Sequence, residues 1–236
     1  MSANAEVLRR SPAVGVPARE AALPVVAAAR PADQWNPENF AREQIRGLVR
    51  RVFFSNGDRA VKQVVFSAAD SDLDVSSICR QVAWALAAET RAQVALVESG
   101  HEAAQSPYIH NPSREVASIR SWATQVAINL WRVQKSGLGE YSGEPGTTMH
   151  WLPCLAELRN EFEYAVIQGP PAGVSSEAAL LGQLTDGIIL LLGARKTRQA
   201  TALRIKETLE AVDCRILGTV LMERTFPIPA RIYHRL

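Results

Sequence analysis

The sequence predicts an α/β fold, a doubly wound and mostly parallel sheet flanked by helices. Three observations lead there. The stretch Val64-Val65-Phe66-Ser67-Ala68-Ala69-Asp70-Ser71-Asp72-Leu73-Asp74-Val75-Ser76-Ser77-Ile78 reads as a buried strand, a loop and the start of a helix. Short apolar runs then alternate with helix-period segments almost to the C-terminus, which is the signature of βαβ units with right-handed crossovers. Finally, Ile188 to Leu192 is an unbroken apolar run, as a strand covered on both faces requires.

The elements follow in order. Residues 1–35 are rich in Ala, Pro, Val and Arg, are interrupted by Pro12, Pro17, Pro24 and Pro31, and lack sustained periodicity, so they read as a flexible arm. Residues 36–236 read as a single domain. Asn36-Pro37 is a good cap and first helical residue, and Ala41, Ile45, Leu48 and Val52 share one face of a helix reaching about residue 54. The other face carries Glu43 with Arg42, Arg46, Arg50 and Arg51. A first strand spans about Val61 to Ser67. The next helix places Ile78, Val82 and Leu86 at spacing four, and a second strand runs from Gln93 to Glu98.

Beyond residue 100, Ser113 is a candidate cap for a short helix through Val116, Ile119 and Ala123. Asn129 to Val133 is a candidate strand, and Gly137 to Gly146 a loop. A helix bearing Leu152, Leu155, Leu158 and Phe162 precedes the strand Tyr164 to Gln168, which Pro170 and Pro171 terminate. A helix over Glu177 to Leu184, the strand Ile188 to Leu192, a helix with Ala202, Ile205, Leu209 and Val212, and the strand Ile216 to Met222 complete the alternation.

Composition narrows the function classes. A net charge of +2 over 236 residues is too mild to imply nucleic acid. No run approaches the length of a membrane span and the N-terminus lacks a continuous apolar signal core, so a cytoplasmic location is expected. Cys79, Cys154 and Cys214 lie apart in apolar segments and read as buried, reduced thiols. His101, His110, His150 and His234 are too scattered to suggest a metal site or a triad.

The loop after the first strand has the place of a phosphate-binding loop but not its chemistry. Such a loop needs glycines so that backbone N–H groups close around phosphate oxygens, a lysine for the outer phosphates, and a hydroxyl for magnesium. Laid over G-x-x-x-x-G-K-[ST], the segment has Leu73 at the second glycine, Asp74 at the lysine and Val75 at the hydroxyl, with Ser71 among the intervening positions. Replacing Lys by Asp reverses the sign of an interaction of roughly 4 kcal/mol between unit charges about 4 Å apart at an effective dielectric near 20. A calcium-loop reading fails, because position six is Val75 rather than Gly and position twelve is Gln81 rather than Glu. Acidic and hydroxyl groups that cap the following helix explain the loop better.

From about Asn39 to the C-terminus the chain resembles the P-loop ATPase family of bacterial tyrosine kinases of capsule and exopolysaccharide synthesis, relatives of the MinD/ParA ATPases. The likeness rests on Glu43-x-x-Arg46-x-Leu48 followed by Phe54, on Gly169-Pro170-Pro171, and on Leu184 to Leu192. Thr197-Arg198, Leu217-Gly218-Thr219-Val220-Leu221 and the ending Arg224-Thr225-Phe226-Pro227-Ile228-Pro229 through Tyr233 and Leu236 continue it. The colinear order of these motifs is the specific feature.

The departures all fall on nucleotide chemistry. Asp74 stands at the P-loop lysine. Glu98-Ser99-Gly100 stands where the second strand should end in Asp-x-Asp, Gln168 where an aspartate precedes the Pro-Pro turn, and Met222 where an adenine-contacting Asn is usual. Gln168 carries no charge to organise magnesium. In the family's oligomerisation helix, Glu-x-x-Arg-x-x-Arg, the last position is Val49 with Arg50 adjacent, which leaves Glu43, Arg46 and Arg50 as the candidate partner or oligomer interface.

The resemblance therefore implies a P-loop NTPase-like scaffold with no catalytic residues, no metal site and no confident cofactor-binding residues. It implies a non-catalytic partner or regulator in exopolysaccharide or capsule biosynthesis and export. Its expected partner is the cytoplasmic segment of a Wzz-like polysaccharide co-polymerase or an active kinase paralogue, with homo-oligomers also open. Membrane contact, at the inner membrane, would come only through that partner. Two alternatives stand beside this reading. One is an active ATP- and magnesium-dependent tyrosine autokinase that takes another cation, Arg195 or Lys196, to the phosphates. The other is a MinD/ParA-like spatial regulator.

Overall fold

A computed structural model describes residues 37–55, 60–98, 118–134 and 148–223. The expected arm, Gly100, the Ser113 cap, the Gly137 to Gly146 loop and the ending from Arg224 lie outside the described residues. The elements are α1 (Pro37–Phe53), β1 (Gln63–Ala68), α2 (Val75–Glu89), β2 (Val94–Glu98), α3 (Ile119–Trp122), β3 (Ala123–Ala127), β4 (Leu130–Gln134), α4 (Thr148–Glu161), β5 (Tyr164–Gln168), α5 (Ser176–Leu184), β6 (Gly187–Gly193), α6 (Gln199–Glu210) and β7 (Ile216–Met222). The strands form one sheet in the order β3-β4-β2-β5-β1-β6-β7, parallel throughout except for the antiparallel β3–β4 pair. The expected class, a doubly wound and mostly parallel sheet between helices, is the observed one.

Side chains of a strand alternate between its faces, and this alternation sorts the core into two layers. Val64 and Phe66 of β1 pack with Val49 and Val52 of α1 and with Ile78, Val82 and Leu86 of α2. Val65, on the opposite face, packs with Leu155 and Leu158 of α4, Leu181 of α5, and Ile205 and Leu209 of α6. Because β1 and β6 face both layers, all six residues of β1 are buried, as are six of the seven in β6. The unbroken apolar run at Ile188 to Leu192 has this cause.

Where β6 begins, the chain admits only glycine. Gly187 has φ +148°, and a Cβ there would lie 2.5 Å from the Arg215 carbonyl oxygen. Next to it, Asp186 is 1% exposed yet fully engaged. Its Oδ2 accepts the backbone N–H groups of Lys62 and Gln63, both at 2.8 Å, and its Oδ1 accepts Nη2 of Arg159 at 3.2 Å. Burial pushes this carboxyl's pKa up, but the two N–H groups and the guanidinium outweigh burial and hold it below its ordinary value. The network ties α4 and the start of β6 to the N-terminal end of β1.

Three sequence expectations need correction. The short helix before β3 is α3 alone, capped by Ser118, whose Oγ accepts the Arg120 N–H at 3.3 Å; Ala123, expected inside that helix, begins a strand. That strand, β3, pairs with β4 as a hairpin whose turn residue Asn129 donates Nδ2 to the carbonyls of Ala87, Thr90 and Ala92 at 2.9–3.1 Å. Finally, α4 turns a different face inward. Trp151 is 1% exposed, whereas Leu152 is 54% exposed. Phe162 packs inward just past the helix end, with its N–H donated to the Leu158 carbonyl at 3.0 Å.

Candidate functional site

In open α/β sheets ligands lie beyond the carboxyl ends of the strands, where neighbouring crossovers diverge. Here that place is the end of β1, between β5 and β6. The structure brings together there the loop Asp70 to Asp74, Gln168 at the end of β5, the Gly193–Thr197 loop after β6, and Glu223 after β7.

Two donors where the loop meets α2 are satisfied locally. Asp74 has φ −78° and ψ 88°, close to an inverse γ-turn, and the Val75 N–H is donated back to the Leu73 carbonyl at 3.0 Å. Asp74 Oδ1 accepts the Ser77 N–H, also at 3.0 Å, so Asp74 caps α2 as the sequence suggested. Leu73 is 6% exposed and joins the α1/α2 core layer. Its Cδ2 would lie 3.2 Å from a Cβ added to Gly193. Val75 is likewise buried.

The other two acids of the loop do not cap the helix; this corrects the expectation that all three serve its N-terminus. Asp70 accepts the hydroxyl of Thr197, and that hydroxyl accepts the Gly193 N–H at 2.8 Å. Asp72 lies 3.5 Å from Nζ of Lys196, which also sits 2.8 Å from Glu223. The hydrogen bond to Glu223, reinforced by the charges of Glu223 and Asp72, raises the Lys196 pKa above its ordinary value. Arg195, next to Lys196 in the chain, and Glu223 itself both hold left-handed backbone, φ +65° and +55°. The sequence offers Arg195 or Lys196 as a cation near the loop without fixing the reach of either. The structure puts Lys196 there, and the sequence gives no sign of its pairing with Glu223 or of the bond between Thr197 and Asp70.

The remaining expected positions take no part in the Lys196 pairings. Gln168 Oε1 accepts the Ser76 hydroxyl at 3.2 Å, linking β5 to the first turn of α2. Glu98, at the end of β2, lies 3.8 Å from Arg80 of α2. Met222 packs half-buried against the α1/α2 core layer. Ser71 is exposed in the loop turn. Under the opposite side of the loop, Gly173 lets the segment after the Pro-Pro turn approach closely, since a Cβ there would lie 2.3 Å from the Ala69 carbonyl oxygen.

Tested as a magnesium–triphosphate site, these residues do not fit. A cradle needs inward N–H groups, but the Val75 and Ser77 N–H groups are taken up by Leu73 and Asp74. It needs space where the Leu73 side chain enters the core, and a free cation where Asp74 stands. Among the described residues, no group of three His, Cys, Asp or Glu side chains is placed to hold a metal ion. The three thiols are buried, and burial raises their pKa values, to about 12 for Cys154 and about 11 for Cys214 and higher still for Cys79.

On α1, Arg46 makes a long contact with Glu43, 3.7 Å, with both side chains exposed. Arg50 is committed within the chain, its Nε and Nη2 donated to Glu89 of α2 at 3.1 and 2.9 Å. That fork lowers the Glu89 pKa and raises that of Arg50. No helix among the described residues is long and apolar enough to cross a membrane.

No family model matches the chain. It is similar to the tyrosine-protein kinase YwqD of Bacillus subtilis (strain 168), 22% identical over 198 residues, which covers 78% of this chain and 82% of that protein. A segment of 67 residues is 31% identical to the tyrosine-protein kinase CpsD of Streptococcus agalactiae serotype III (strain NEM316), covering 28% of this chain and 29% of that one. Of solved structures, the chimerical protein CapA2B2 superposes with a TM-score of 0.60 at 18% identity, over 76% of this chain and 83% of that one. The VpsO kinase domain gives 0.59 at 15%, over 80% and 98%. At these identities the superpositions establish a shared fold.

Proposed function

We propose, from the premise that this chain is a distant member of the P-loop ATPase family of bacterial tyrosine kinases, that it is a non-catalytic partner or regulator in bacterial exopolysaccharide or capsule biosynthesis and export. The observation that carries the proposal is the loop after β1. At the lysine position Asp74 caps its own helix, and at the glycine position Leu73 fills the core. The Val75 and Ser77 N–H groups and the charges of Asp72, Lys196 and Glu223 are paired within the chain instead. Such a protein acts by presenting a surface, in the cytoplasm, to the cytoplasmic segment of a polysaccharide co-polymerase or to an active kinase paralogue, with α1 and its Glu43 and Arg46 as the first candidate surface. No nucleotide, metal or catalytic residue enters this mechanism.

Calorimetric titration of the purified protein with ATP and ADP in magnesium tests the non-catalytic part. The expected result is no heat of binding. Deleting the gene and measuring polymer output tests the pathway, with loss of output restored by the natural chain as the expected result.

A second reading has one observation in its favour. Lys196 does reach the altered loop, 3.5 Å from Asp72. An unusual ATP site would use it as the replacement cation, after it had left both Asp72 and Glu223. Micromolar ATP affinity that is lost in Lys196→Ala would support an active autokinase over the non-catalytic reading.

A further inference from the structure

A concavity of about 380 Å³ lies between α1 and α2. Its apolar part comes from Ile45, Ala85 and the indole of Trp84, and its charged part from Arg42, Arg46 and Arg80. Trp84 is 52% exposed although α2 is otherwise well sorted, with Ile78, Val82 and Leu86 buried on its inner face. Arg80 and Trp84 are four residues apart on one helix, and Arg42 and Arg46 four apart on the other, so each pair forms a stripe along its side of the cleft.

Among the described residues no carboxylate lines the cleft. The acids nearest its arginines hold them loosely, Glu43 at 3.7 Å from Arg46 and Glu98 at 3.8 Å from Arg80. The Arg46–Glu43 pair is exposed on both sides, contributes little and yields to a competing carboxylate. Glu98 is largely buried, and it leaves the half-exposed Arg80 guanidinium at a distance too long for a hydrogen bond. The tight pair of the two helices, Arg50 with Glu89, lies outside the cleft lining and braces α1 on α2, so the cleft is preformed.

We propose that this cleft is a docking site for an acidic segment of a partner protein, one aromatic or leucine side chain seated against Trp84 and its flanking carboxylates on Arg42, Arg46 and Arg80. Charge complementarity selects the partner: three guanidinium groups around an exposed indole match an acidic chain with an apolar anchor, and Trp and Arg are the residue types that dominate binding energy at such contacts. A second copy docking face to face would set these arginines against themselves. A bilayer surface calls for a broad projecting apolar face rather than a recess. The proposal rests on the protein-partner reading above and narrows it to one cleft and one chemistry.

The test is fluorescence polarisation of the full chain with a labelled twelve-residue peptide, one central Phe among Glu and Asp. Comparison peptides carry Ala for the Phe, or Lys for the acids, and flotation with phosphatidylglycerol vesicles runs alongside. Binding of the acidic Phe peptide is expected, weakening as salt rises, with about a tenfold loss in Trp84→Ala and at least as much in Arg46→Glu combined with Arg80→Glu. The thermal midpoint of Trp84→Ala should match that of the natural chain. The double variant sets a carboxylate against the largely buried Glu98 and should melt lower. Arg46→Glu alone, which leaves Glu98 with Arg80, is therefore the charge control and should weaken the peptide at an unchanged midpoint. Absence of peptide binding, binding indifferent to these substitutions, or Trp84-dependent flotation without peptide binding would each overturn the proposal. These outcomes are separable from those of the nucleotide titration and the deletion, which test the non-catalytic and pathway readings without involving the cleft.

Discussion

Substituting Asp74 by lysine restores the residue that a phosphate-binding loop requires and should still not restore nucleotide binding. The structural cost is calculable. Asp74 contributes one capping hydrogen bond to the Ser77 N–H at 3.0 Å, in an exposed position. Loss of such a cap costs about 1 kcal/mol, within a range of roughly 0.5–2. A cation at a helix N-terminus adds roughly 0.3–1 kcal/mol, partly offset by attraction to Asp70 and Asp72 in the same loop. The expected net loss is about 1.5 kcal/mol, which a domain of ordinary stability survives. Urea denaturation measures it, and Asp74→Asn, which keeps the cap, should stay within about 0.5 kcal/mol of the natural chain. Calorimetry with magnesium and ATP should record no heat in the lysine variant, because Leu73 still fills the glycine position and the Val75 N–H still bonds to Leu73. Micromolar ATP binding by Asp74→Lys would refute the reasoning, since one residue rather than the whole loop would then exclude nucleotide. An unchanged urea midpoint would refute the capping role.

Removing the Asp186 carboxylate strands two backbone N–H groups and Arg159, so Asp186→Ala should lose roughly 3 kcal/mol in urea denaturation, the exposed half of the arginine being discounted. Because the native pKa of Asp186 is lowered, its contribution is fully present above the ordinary value of 3.8 and is lost as pH falls below that through the native value; acid unfolding followed by circular dichroism should therefore begin at higher pH in Asp186→Ala only through lower baseline stability, and with a shallower dependence on pH. Gly173→Ala should cost roughly 1–3 kcal/mol by driving a methyl against the Ala69 carbonyl, seen as a lowered thermal midpoint. The buried thiols Cys79, Cys154 and Cys214 should react slowly with a disulfide reagent at neutral pH and rapidly once the chain is unfolded in urea.

The sequence was legible where burial imposes a period. Strands such as Tyr164 to Gln168 and Ile216 to Met222 were read to the residue because apolar runs between turn signals leave little choice of boundary. The hairpin was missed at β3, where the middle residues Thr124, Gln125 and Val126 are exposed at the sheet edge and so carry no core-facing alternation. In α4 the choice between Trp151 and Leu152 is one of helical phase, since either spacing reaches Leu155 and Leu158. Tertiary contacts settle it: the indole nitrogen of Trp151 is donated to Glu177 of α5 at 3.0 Å. The site was legible in its substitutions, read along one loop, but not in its pairings. Lys196 meeting Asp72 and Glu223 joins the ends of three different strands, and local sequence has no term for that.

The two ends of β1 explain how such a chain can keep its architecture with the altered loop. At the N-terminal end, Asp186 satisfies the Lys62 and Gln63 N–H groups and holds Arg159, which fixes β1, α4 and β6 without any ligand. At the C-terminal end a phosphate-binding loop would leave several N–H groups and a cation waiting for phosphate, and unpaired buried donors are costly. This chain meets part of that demand internally. Val75 and Ser77 have intramolecular acceptors, Asp70 has Thr197, and Asp72 and Glu223 share Lys196. A site whose charges are satisfied by its own side chains has less to gain from a nucleotide, because binding must first break those pairs. The same economy does not extend to the cleft between α1 and α2, where an indole and three guanidinium groups stay accessible, and it is there that a partner has the most to gain.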